Sequence, residues 1–448
     1  MNAVIPYRQT VRAAGRKLAK LFGRSGIEAG GGGWRWSGSP TLPAPQQSTL
    51  AARGPAKARA AALSVNNPTA ARIVETWCAA LIGKGWQSQS QHPDRNVARG
   101  LNDEFETLVA PLLPQIARAV VRDGEAFLRI LNGPEGIRLL QLPADQIDPA
   151  MTSDLANGSR IVAGIEFDPT ETPVAYHVLP DAPGTPFARY GETMRIPASE
   201  ILHIFDPLFP GQVRGITWLA PVLLKLADAD AASDAMMMNL KTQSLFAAFI
   251  TDPDGGAAGF TGTEKDGTIN LALEPGTTRI LPPGADVRFA QPGGGLSQQV
   301  EFIKAQLHEI AAGAGLMYEQ ISTDLSSTNY SSARFGLLEF RRRAEMLQRL
   351  LIEGQLLRPL WRRWIDWKAL AGDVPSDGAS LSDYRAVRFV PPGWQWVDPL
   401  KEVNADARAI EAGLKSRAEV VAGRGRDINE LDEEIAADRR TARQEGDA

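Results

Sequence analysis

Cysteine and histidine are scarce in this sequence. Its 448 residues include one cysteine, Cys78, and four histidines. A single cysteine excludes disulfide bonds within the chain and zinc sites built from several thiolates. His203 lies near Asp206 in an apolar, strand-like run, which predicts a buried, hydrogen-bonded core histidine and not an acid/base pair. Cys78 follows Trp77 on a predicted helix, where we expect a small buried side chain.

Long apolar runs and common catalytic motifs are also missing. The longest nearly apolar stretch, residues 216–224, contains Pro221 and is far shorter than the about 18 residues that a membrane-spanning helix needs. The sequence contains no nucleophile elbow, zinc-protease, phosphate-loop or dinucleotide-binding motif. We therefore expect no catalytic residue, no metal site, no cofactor and no membrane partner.

Charge is unevenly distributed along a chain whose net charge is −4. Residues 1–60 are rich in lysine and arginine and contain one acid, Glu28, whereas the end from Asp427 onward is acidic. This asymmetry indicates a polyanionic partner that one part of the molecule attracts and another repels. The basic arm fits two roles: binding scaffold, capsid or DNA phosphate during assembly, or serving as a flexible solubilising end.

Turn signals and apolar spacing together predict an α+β fold. Asn67 and Pro68 predict a helix start, as N-cap and first helical residue. Residues 125–205 contain short β-rich runs separated by turn signals, which predict an antiparallel sheet. Apolar residues then recur at three- and four-residue steps over 216–250 and 297–317, which predicts two long helices. A small insert rich in glycine and proline separates them.

A third long helix is predicted over residues 333–370. It should kink at Pro359, because proline lacks the backbone N–H and its ring clashes with the preceding turn. The polar stretch 322–332 before it is longer than most helix connections, which favours a functional loop over a plain connector. Residues 383–396 are predicted to form a final pair of strands.

Three tryptophans recur every third residue in the last part of this helix. They are Trp361, Trp364 and Trp367, and Arg362 and Arg363 lie among them. This spacing favours packing in the core or against another subunit. A platform on which nucleic-acid bases stack is the alternative.

Seven strings in the chain resemble portal proteins of tailed bacteriophages, specifically the lambda-like branch. In order they are NNPTAARIVETW, VVRDGEAFLRIL, GIEFDPTETPVAYHV, FDPLFPGQVRGITWLAPVL, LEPGTTRILPPGADVRF, STNYSSARFGLLEFRRR and WVDPLKEVNADARAIEAGLKSR. None is a catalytic signature, and the resemblance rests on their number and order. It implies a non-enzymatic subunit of a dodecameric ring at one capsid vertex, through which double-stranded DNA is packaged, retained and ejected.

The resemblance also implies a division of the chain and a set of partners. Residues 1–60 would be a basic, partly disordered N-terminal arm, 61–215 the α+β wing, 216–250 stem helix 1, 251–296 the clip, 297–318 stem helix 2, 322–332 the tunnel loop, 333–400 the long kinked helix and return to the wing, and 401–448 a crown-like helical end. The implied partners are other copies of the chain, double-stranded DNA, terminase, the major capsid protein, the head-tail adaptor and scaffold. The implied location is the virion, and the host cytoplasm during assembly.

The channel wall is the first candidate site. DNA carries one charge per about 1.7 Å, and a wall that neutralised its phosphates would hold it back. An inward carboxylate repeated around a ring instead forms a closed negative band. The channel-lining candidates are Asp228, Asp230, Asp234, Glu301 and Lys304. For the three aspartates, a merely solvated helix face is the alternative.

Two further groups complete the candidate site. The tunnel-loop candidates are Asp324, Ser327, Thr328, Asn329 and Tyr330. Arg341, Arg342 and Arg343 are candidates for contact with DNA or for pairing with acids of the next subunit, and the sequence does not decide between the two.

Assembly makes a further demand on the stem helices. If they pack between neighbouring subunits, an isolated subunit should expose Leu219, Leu223, Ile303 and Leu307. Two other functions remain open: a DNA-processing enzyme whose clustered carboxylates bind Mg²⁺, and a different ring-forming head-tail connector, which would lack the long α+β lobe.

Overall fold

The computed structural model describes residues 42, 44–133, 136–189, 191–245, 249–251, 263–265, 268–270, 286–288, 296–326, 328–374, 378–394 and 398–446. The chain divides into two compact units, Met1–Ser48 and Thr49–Ala448. Most of the first unit lies outside the described residues, and with it most of the expected basic arm. The features described below belong to the second unit, apart from residues 45–48 at the start of the first helix.

The first described helix begins at Pro45, within residues 1–60, which were expected to form a partly disordered arm. The first four helices are α1 (Pro45–Asn66), α2 (Pro68–Ile82), α3 (Arg95–Val109) and α4 (Leu113–Asp123). The start of α2 confirms the prediction, since the Asn67 side chain accepts the N–H of Ala70 at 2.9 Å and Pro68 occupies the first turn. Residues 49–60 are helical, and Arg53 is 3% exposed. The folded structure therefore starts before residue 61.

The predicted α+β lobe is confirmed as two antiparallel sheets. The described strands of the first, in spatial order β3-β2-β9, are β2 (Glu125–Gly133), β3 (Gly136–Leu142) and β9 (Ile201–Phe205). The second has the order β4-β5-β6-β7-β8, with strands Ser153–Asp154, Arg160–Val162, Ile165–Phe167, Pro173–Val178 and Met194–Pro197. In the first sheet, Phe127 pairs with His203 and Glu125 with Phe205. Glu125 and His203 therefore project from the same face.

Two apolar clusters form the core. The larger one joins α2, α3, α4, apolar residues between Phe340 and Ile365 and one face of the three-stranded sheet. The smaller one lies between the two sheets and contains Phe127, Ile147, Ile165, Tyr176 and Ile201. The three-stranded sheet is thus covered on both faces, so charged side chains on it are removed from water.

The two helices predicted around the insert are antiparallel neighbours, α5 (Leu223–Leu245) and α6 (Leu296–Ala314). Lys225 at the start of α5 forms a 2.7 Å ion pair with Glu309 near the end of α6. Gly313 allows close contact, since a Cβ there would lie 2.5 Å from Cγ1 of Val222. The helix α5 starts at Leu223, seven residues later than predicted. Pro221 disfavours helical geometry in Ala220, the residue before it.

Short strands are described in the insert between these helices. They are β10 (Phe249–Thr251), β11 (Thr263–Lys265), β12 (Thr268–Asn270) and β13 (Asp286–Arg288). β10 pairs with β13 and β11 with β12, both antiparallel. Most of the expected clip, residues 251–296, lies outside the described residues.

The third long helix changes its winding immediately before the turn that contains Pro359. It consists of α8 (Tyr330–Leu347), a π-helix (Gln348–Leu357) and α9 (Arg358–Ala371). Pro359 is the second residue of α9, and the altered winding occupies the ten residues that end at Leu357. The predicted interruption therefore lies just before the proline, which cannot donate a main-chain hydrogen bond to that segment. Within the π-helix, the side chain of Gln355 bonds the main-chain N–H and C=O of Phe205 at 2.9 and 3.1 Å. The π-helix is therefore bonded to strand β9 of the three-stranded sheet.

The tryptophans and the cysteine are core residues, as predicted. Trp361 and Trp364 are 0% and 3% exposed, and the indole N–H of Trp361 donates to the carbonyl of Tyr384 at 3.1 Å. Trp367 is half-buried. Burial raises the pKa of Cys78 to about 12, so its thiol stays protonated and unreactive near neutral pH.

The predicted strand pair over 383–396 is wrong in its described part. Residues Leu381–Arg385 form a short helix, α10, and β14 (Val387–Val390) pairs with β1 (Gln87–Ser90) near the start of the chain. Turn residues and alternating polarity predict a strand but not its distant partner.

The C-terminal part is helical, with α11 (Pro399–Glu411), α12 (Arg417–Ala422) and α13 (Ile428–Gly446). It contacts the segment after β14 closely, since a Cβ on Gly425, whose φ is +68°, would lie 2.6 Å from the nitrogen of Gly393. Arg424 connects two parts of this region through a 3.2 Å ion pair with Asp406. The described C-terminal helices are thus attached to the body of the second unit.

Candidate functional site

The three aspartates predicted to line a channel are exposed on α5. At 100° per residue, Asp230 and Asp234 lie about 40° apart, whereas Asp228 lies about 160° from Asp230. One wall can therefore take Asp230 and Asp234 together, but not all three aspartates.

The two channel candidates on α6 differ in their surroundings. Glu301 is exposed, whereas Lys304 is half-buried and its ammonium nitrogen lies 3.4 Å from a carboxylate oxygen of Asp324. The structure thus brings a predicted channel residue and a predicted loop residue together. Lys304 on α6 therefore pairs with the polar loop of its own chain, and its charge is not directed freely to a channel.

Asp324 organises the described part of the polar loop. Its carboxylate accepts the backbone N–H of Ser326 at 3.0 Å and the hydroxyl of Ser326 at 2.6 Å. These bonds, with the charge of Lys304, lower the pKa of Asp324 to about 2. The carboxylate is therefore ionised near neutral pH.

The loop is shorter than the polar stretch in the sequence. A helical turn, α7 (Tyr318–Ser322), occupies the residues before it, and Asn329 starts α8 by accepting the N–H of Ser332 at 2.9 Å. The Thr328 hydroxyl donates to Glu319 at 2.8 Å. Ser327 lies outside the described residues, and Tyr330 is the first residue of α8.

The apolar residues exposed on the paired helices are not the four predicted ones. Leu219 is fully buried, and Leu223, Ile303 and Leu307 are half-buried, because the bases of the two helices pack into the core of the same chain. The large apolar side chains that face solvent are Leu224, Met237, Met238, Val300 and Phe302, between 48% and 73% exposed.

Two of the three consecutive arginines on α8 have partners within the chain. The guanidinium carbons of Arg341 and Arg343 lie 5.5 Å from the ring centres of Trp394 and Trp77, respectively. Burial lowers the pKa of Arg341, whereas Arg342 is exposed. Of the three, Arg342 is the one whose side chain is presented most freely to another molecule.

The most deeply buried charges form a cluster that no sequence pattern indicates. Glu125 and Arg214 are 0% exposed and Arg53 is 3% exposed. The Glu125 carboxylate contacts Arg214 at 2.7 to 3.1 Å and His203 at 3.0 Å, and it also pairs with Arg53. These residues come from α1, β2, β9 and the segment before α5. The cluster therefore joins the N-terminal helix, the three-stranded sheet and the base of the paired helices.

Arg214 is also bound by main-chain carbonyls. It donates to Ala163 at 2.6 Å and to Ala144 at 2.8 Å, both in the part of the lobe that carries the second sheet. Burial alone would raise the pKa of Glu125, but Arg214 and Arg53 outweigh it and hold that pKa well below its usual range. Glu125 is therefore charged, and the cluster contains two arginines for one carboxylate.

Acid should destabilise the fold through this cluster. Burial lowers the pKa of His203 below 6.5, and the pKa of Glu125 is held below 4.5. The unfolded chain therefore binds both protons more tightly than the folded chain does. We expect the free energy of unfolding to decrease as the pH falls below 6.5, and to decrease further below 4.5, in urea titrations over a pH series.

A His203→Gln variant isolates the first step of this loss. Glutamine keeps a donor for Glu125 but does not titrate, so the decrease between pH 6.5 and 4.5 should be smaller than in the unmodified protein. Equal decreases in the two proteins would contradict the assignment to His203.

Two negative findings apply to the described residues alone. Among them, no group of three or more His, Cys, Asp or Glu side chains is arranged to hold a metal ion. None of their helices is both long and apolar enough to cross a membrane.

Comparison with known proteins identifies the family. The pattern described as "Phage portal protein, lambda family" matches residues 33–348, well over half of the chain. A solved chain from the neck of a native gene transfer agent particle, computed with C12 symmetry, is 18% identical with a TM-score of 0.48, over 81% of this chain and 93% of that one.

Two curated relatives carry the same name. The chain is 29% identical to the probable portal protein of Halomonas phage phiHAP-1 and 23% identical to portal protein B of Escherichia phage lambda, over 71% and 69% of its length. It spans 63% and 64% of the lengths of these two relatives. The resemblance found in the sequence is confirmed, and the chain belongs to the lambda family of phage portal proteins.

Proposed function

We propose that this chain is the structural, non-enzymatic subunit of a dodecameric portal ring at one capsid vertex, through which double-stranded DNA is packaged, retained and ejected. Family membership and the names of the curated relatives support this function. The observation that carries it is the antiparallel pair α5 and α6, which presents both apolar and acidic side chains to the outside of a single chain.

The exposed apolar residues support association between copies. Leu224 on α5 and Val300 and Phe302 on α6 are 48% to 73% exposed within the described part of the chain. The exposed Met237 and Met238 lie on the same side of α5 as the aspartates discussed below, so they are not counted toward this contact. Exposed apolar area of this kind is typical of protein interfaces. Because the helices lie side by side, contact between unlike faces of neighbouring copies would repeat in one direction and close a ring.

The exposed acids support a wall that repels DNA. Asp230 and Asp234 share one side of α5, and Glu301 is exposed on α6. Repeated around a ring, they form a negative band whose field reaches about 8 Å at physiological salt. Asp228 lies on the other side of α5, and Lys304 is engaged with Asp324. We therefore assign the lining to Asp230, Asp234 and Glu301.

The remaining segments take their proposed roles from the family. Residues 61–215 and 333–400 form the wing, 322–332 the tunnel loop, 251–296 the clip that docks terminase and the head-tail adaptor, and 401–448 the crown-like end. The major capsid protein surrounds the ring, and the basic arm contacts capsid or scaffold during assembly. The ring forms in the host cytoplasm and remains in the virion.

Imaging of the purified full-length chain tests the ring. Negative-stain electron microscopy should show closed rings with a central hole, and their top views should count the subunits. Compact single copies at high protein concentration, without an axial hole, would contradict the proposed function.

The same rings test the lining residues. Unmodified rings should release a short linear duplex at physiological salt, whereas rings carrying Asp230→Lys and Asp234→Lys should retain it, less so as salt is raised. Asp228→Lys, compared with Asp230→Lys alone, is the matched control, because each variant reverses one charge and the two positions lie on opposite sides of the same helix. Retention by Asp228→Lys equal to that by Asp230→Lys would contradict the assigned wall.

A further inference from the structure

An arginine-lined cavity lies where the π-helix meets α9. It has a volume of about 380 Å³ and is lined by Gly354, Arg358, Pro359, Arg362 and Arg363. Arg358 and Arg362 are four residues apart on α9 and lie on one face of the helix. Gly354 has no side chain to fill the space on the π-helix side. Three arginines therefore border one concave surface.

The positive charge of this cavity is only partly compensated. Arg358 forms an ion pair with Glu353. Among the described residues, no carboxylate lies within 4.0 Å of Arg362 or Arg363. Arg362 is exposed, whereas Arg363 is half-buried and makes only long hydrogen bonds, at 3.3 and 3.5 Å, to the carbonyls of Ala198 and Ile201. Burial lowers the pKa of Arg363, which indicates a desolvated cation that an anion would stabilise.

The neighbouring tryptophans limit what the cavity can recognise. Trp361 and Trp364 face the core, where Trp361 packs against Phe105 with 4.9 Å between ring centres. They cannot offer a stacking surface to nucleic-acid bases, and the half-buried Trp367 by itself does not make a platform of several rings. What remains on the surface is a set of planar donors that match the oxygens of a phosphate group.

We propose that this cavity binds a phosphate group, held by Arg362 and Arg363 with Arg358 at its edge. The phosphate is either a phosphodiester of the DNA backbone or a free phosphate ion, and both present the same oxygens to the arginines. If DNA is the source, the inference rests on the proposed function, because DNA must then reach this part of the ring. Binding of the free ion does not depend on it.

Calorimetric titration of the full-length chain with inorganic phosphate, against sodium chloride at equal ionic strength, tests the site. We expect saturable binding that Arg362→Ala weakens at least about tenfold, because the variant removes charge-assisted hydrogen bonds to the phosphate. Arg362→Lys should bind with intermediate affinity, because it keeps the charge but loses the planar fork. Arg349→Ala, which removes an exposed arginine of the π-helix outside the cavity, is the matched control and should bind as the unmodified chain does.

A second titration with a short DNA duplex, at salt below the physiological level used for the release test so that phosphate contacts persist, separates the two sources. Duplex binding that competes with phosphate and is lost in Arg362→Ala identifies the DNA backbone, and phosphate binding without duplex binding identifies the free ion. Absence of saturable phosphate binding, or equal weakening by Arg349→Ala, would overturn the proposal. A change of ring size in Arg362→Ala, when the unmodified chain binds no phosphate, would also overturn the proposal. Arg362 would then pair with a carboxylate of a neighbouring copy. If Arg362→Ala still forms rings, a failure to bind phosphate overturns the phosphate site and leaves the proposed function unaffected.

Discussion

Replacing Glu125 with alanine is expected to lower the free energy of unfolding by about 4 kcal/mol. The change removes the carboxylate from a cluster in which Arg53 and Arg214 are almost completely buried. Two guanidinium groups would then remain in the interior without a counter-charge, and the N–H of Gly215 would lose its acceptor at 2.8 Å. Urea unfolding at a fixed subunit concentration measures the effect, because ring formation itself stabilises the folded chain.

An exposed ion pair provides the control for this experiment. Glu171 pairs with Arg160 on the second sheet, with the two side chains 64% and 45% exposed. Glu171→Ala should therefore change the free energy of unfolding by less than about 1 kcal/mol. A loss of similar size in both variants would show that burial of the cluster is not what makes Glu125 important.

Replacing Gly215 with alanine is expected to cost about 3 kcal/mol of unfolding free energy. A Cβ at this position would lie 2.1 Å from the carbonyl oxygen and 2.7 Å from the carbonyl carbon of Gly124. The obstacle is main chain at the start of β2, so no side-chain rotation relieves it. Gly124 meets the same segment in return, since its own Cβ would lie 2.2 Å from the carbonyl carbon of Ile216. Chemical denaturation measures the loss.

Two other glycines separate the steric clash from backbone effects. Gly100 lies within α3 with no atom within 4 Å of its Cβ position, and Gly100→Ala should stabilise the protein by about 1 kcal/mol. Gly184 has a φ of +82° and equally open space, so Gly184→Ala measures the cost of a left-handed backbone alone, about 1–2 kcal/mol. A Gly215→Ala variant as stable as the unmodified protein would refute the close contact.

Features that depend on local chemistry could be predicted from the sequence. The N-cap of α2, the β-rich lobe over 125–205 and the two helices around the insert follow from signals within a few residues of each other. His203 was expected to be a satisfied core histidine, and it is, because the continuously apolar strand β9 is covered on both faces and Glu125 bonds the imidazole. Family membership also followed from the sequence, since it rests on the order of local strings.

Only part of the candidate site could be predicted from local sequence signals. Exposure of Asp230 and Asp234 agrees with a polar helix face, but the residues that cover the helix bases do not follow from periodicity. Leu219 has the spacing of a stem residue and is nevertheless buried, because Val222 and Ile310 beside it belong to the core of the same chain. Periodicity identifies an apolar face, not the element that covers it.

The sequence by itself determined where most helices and strands lie, because caps, prolines and apolar spacing act over a single turn or strand. Only the tertiary structure decided which distant residues meet, as when Arg53 and Arg214 reach Glu125 across 72 and 89 residues. An arginine in a basic run and a glutamate after a glycine look like surface residues until sheet pairing removes them from water. The energetic weight of a charge depends on its burial and its partners, and no local pattern specifies either.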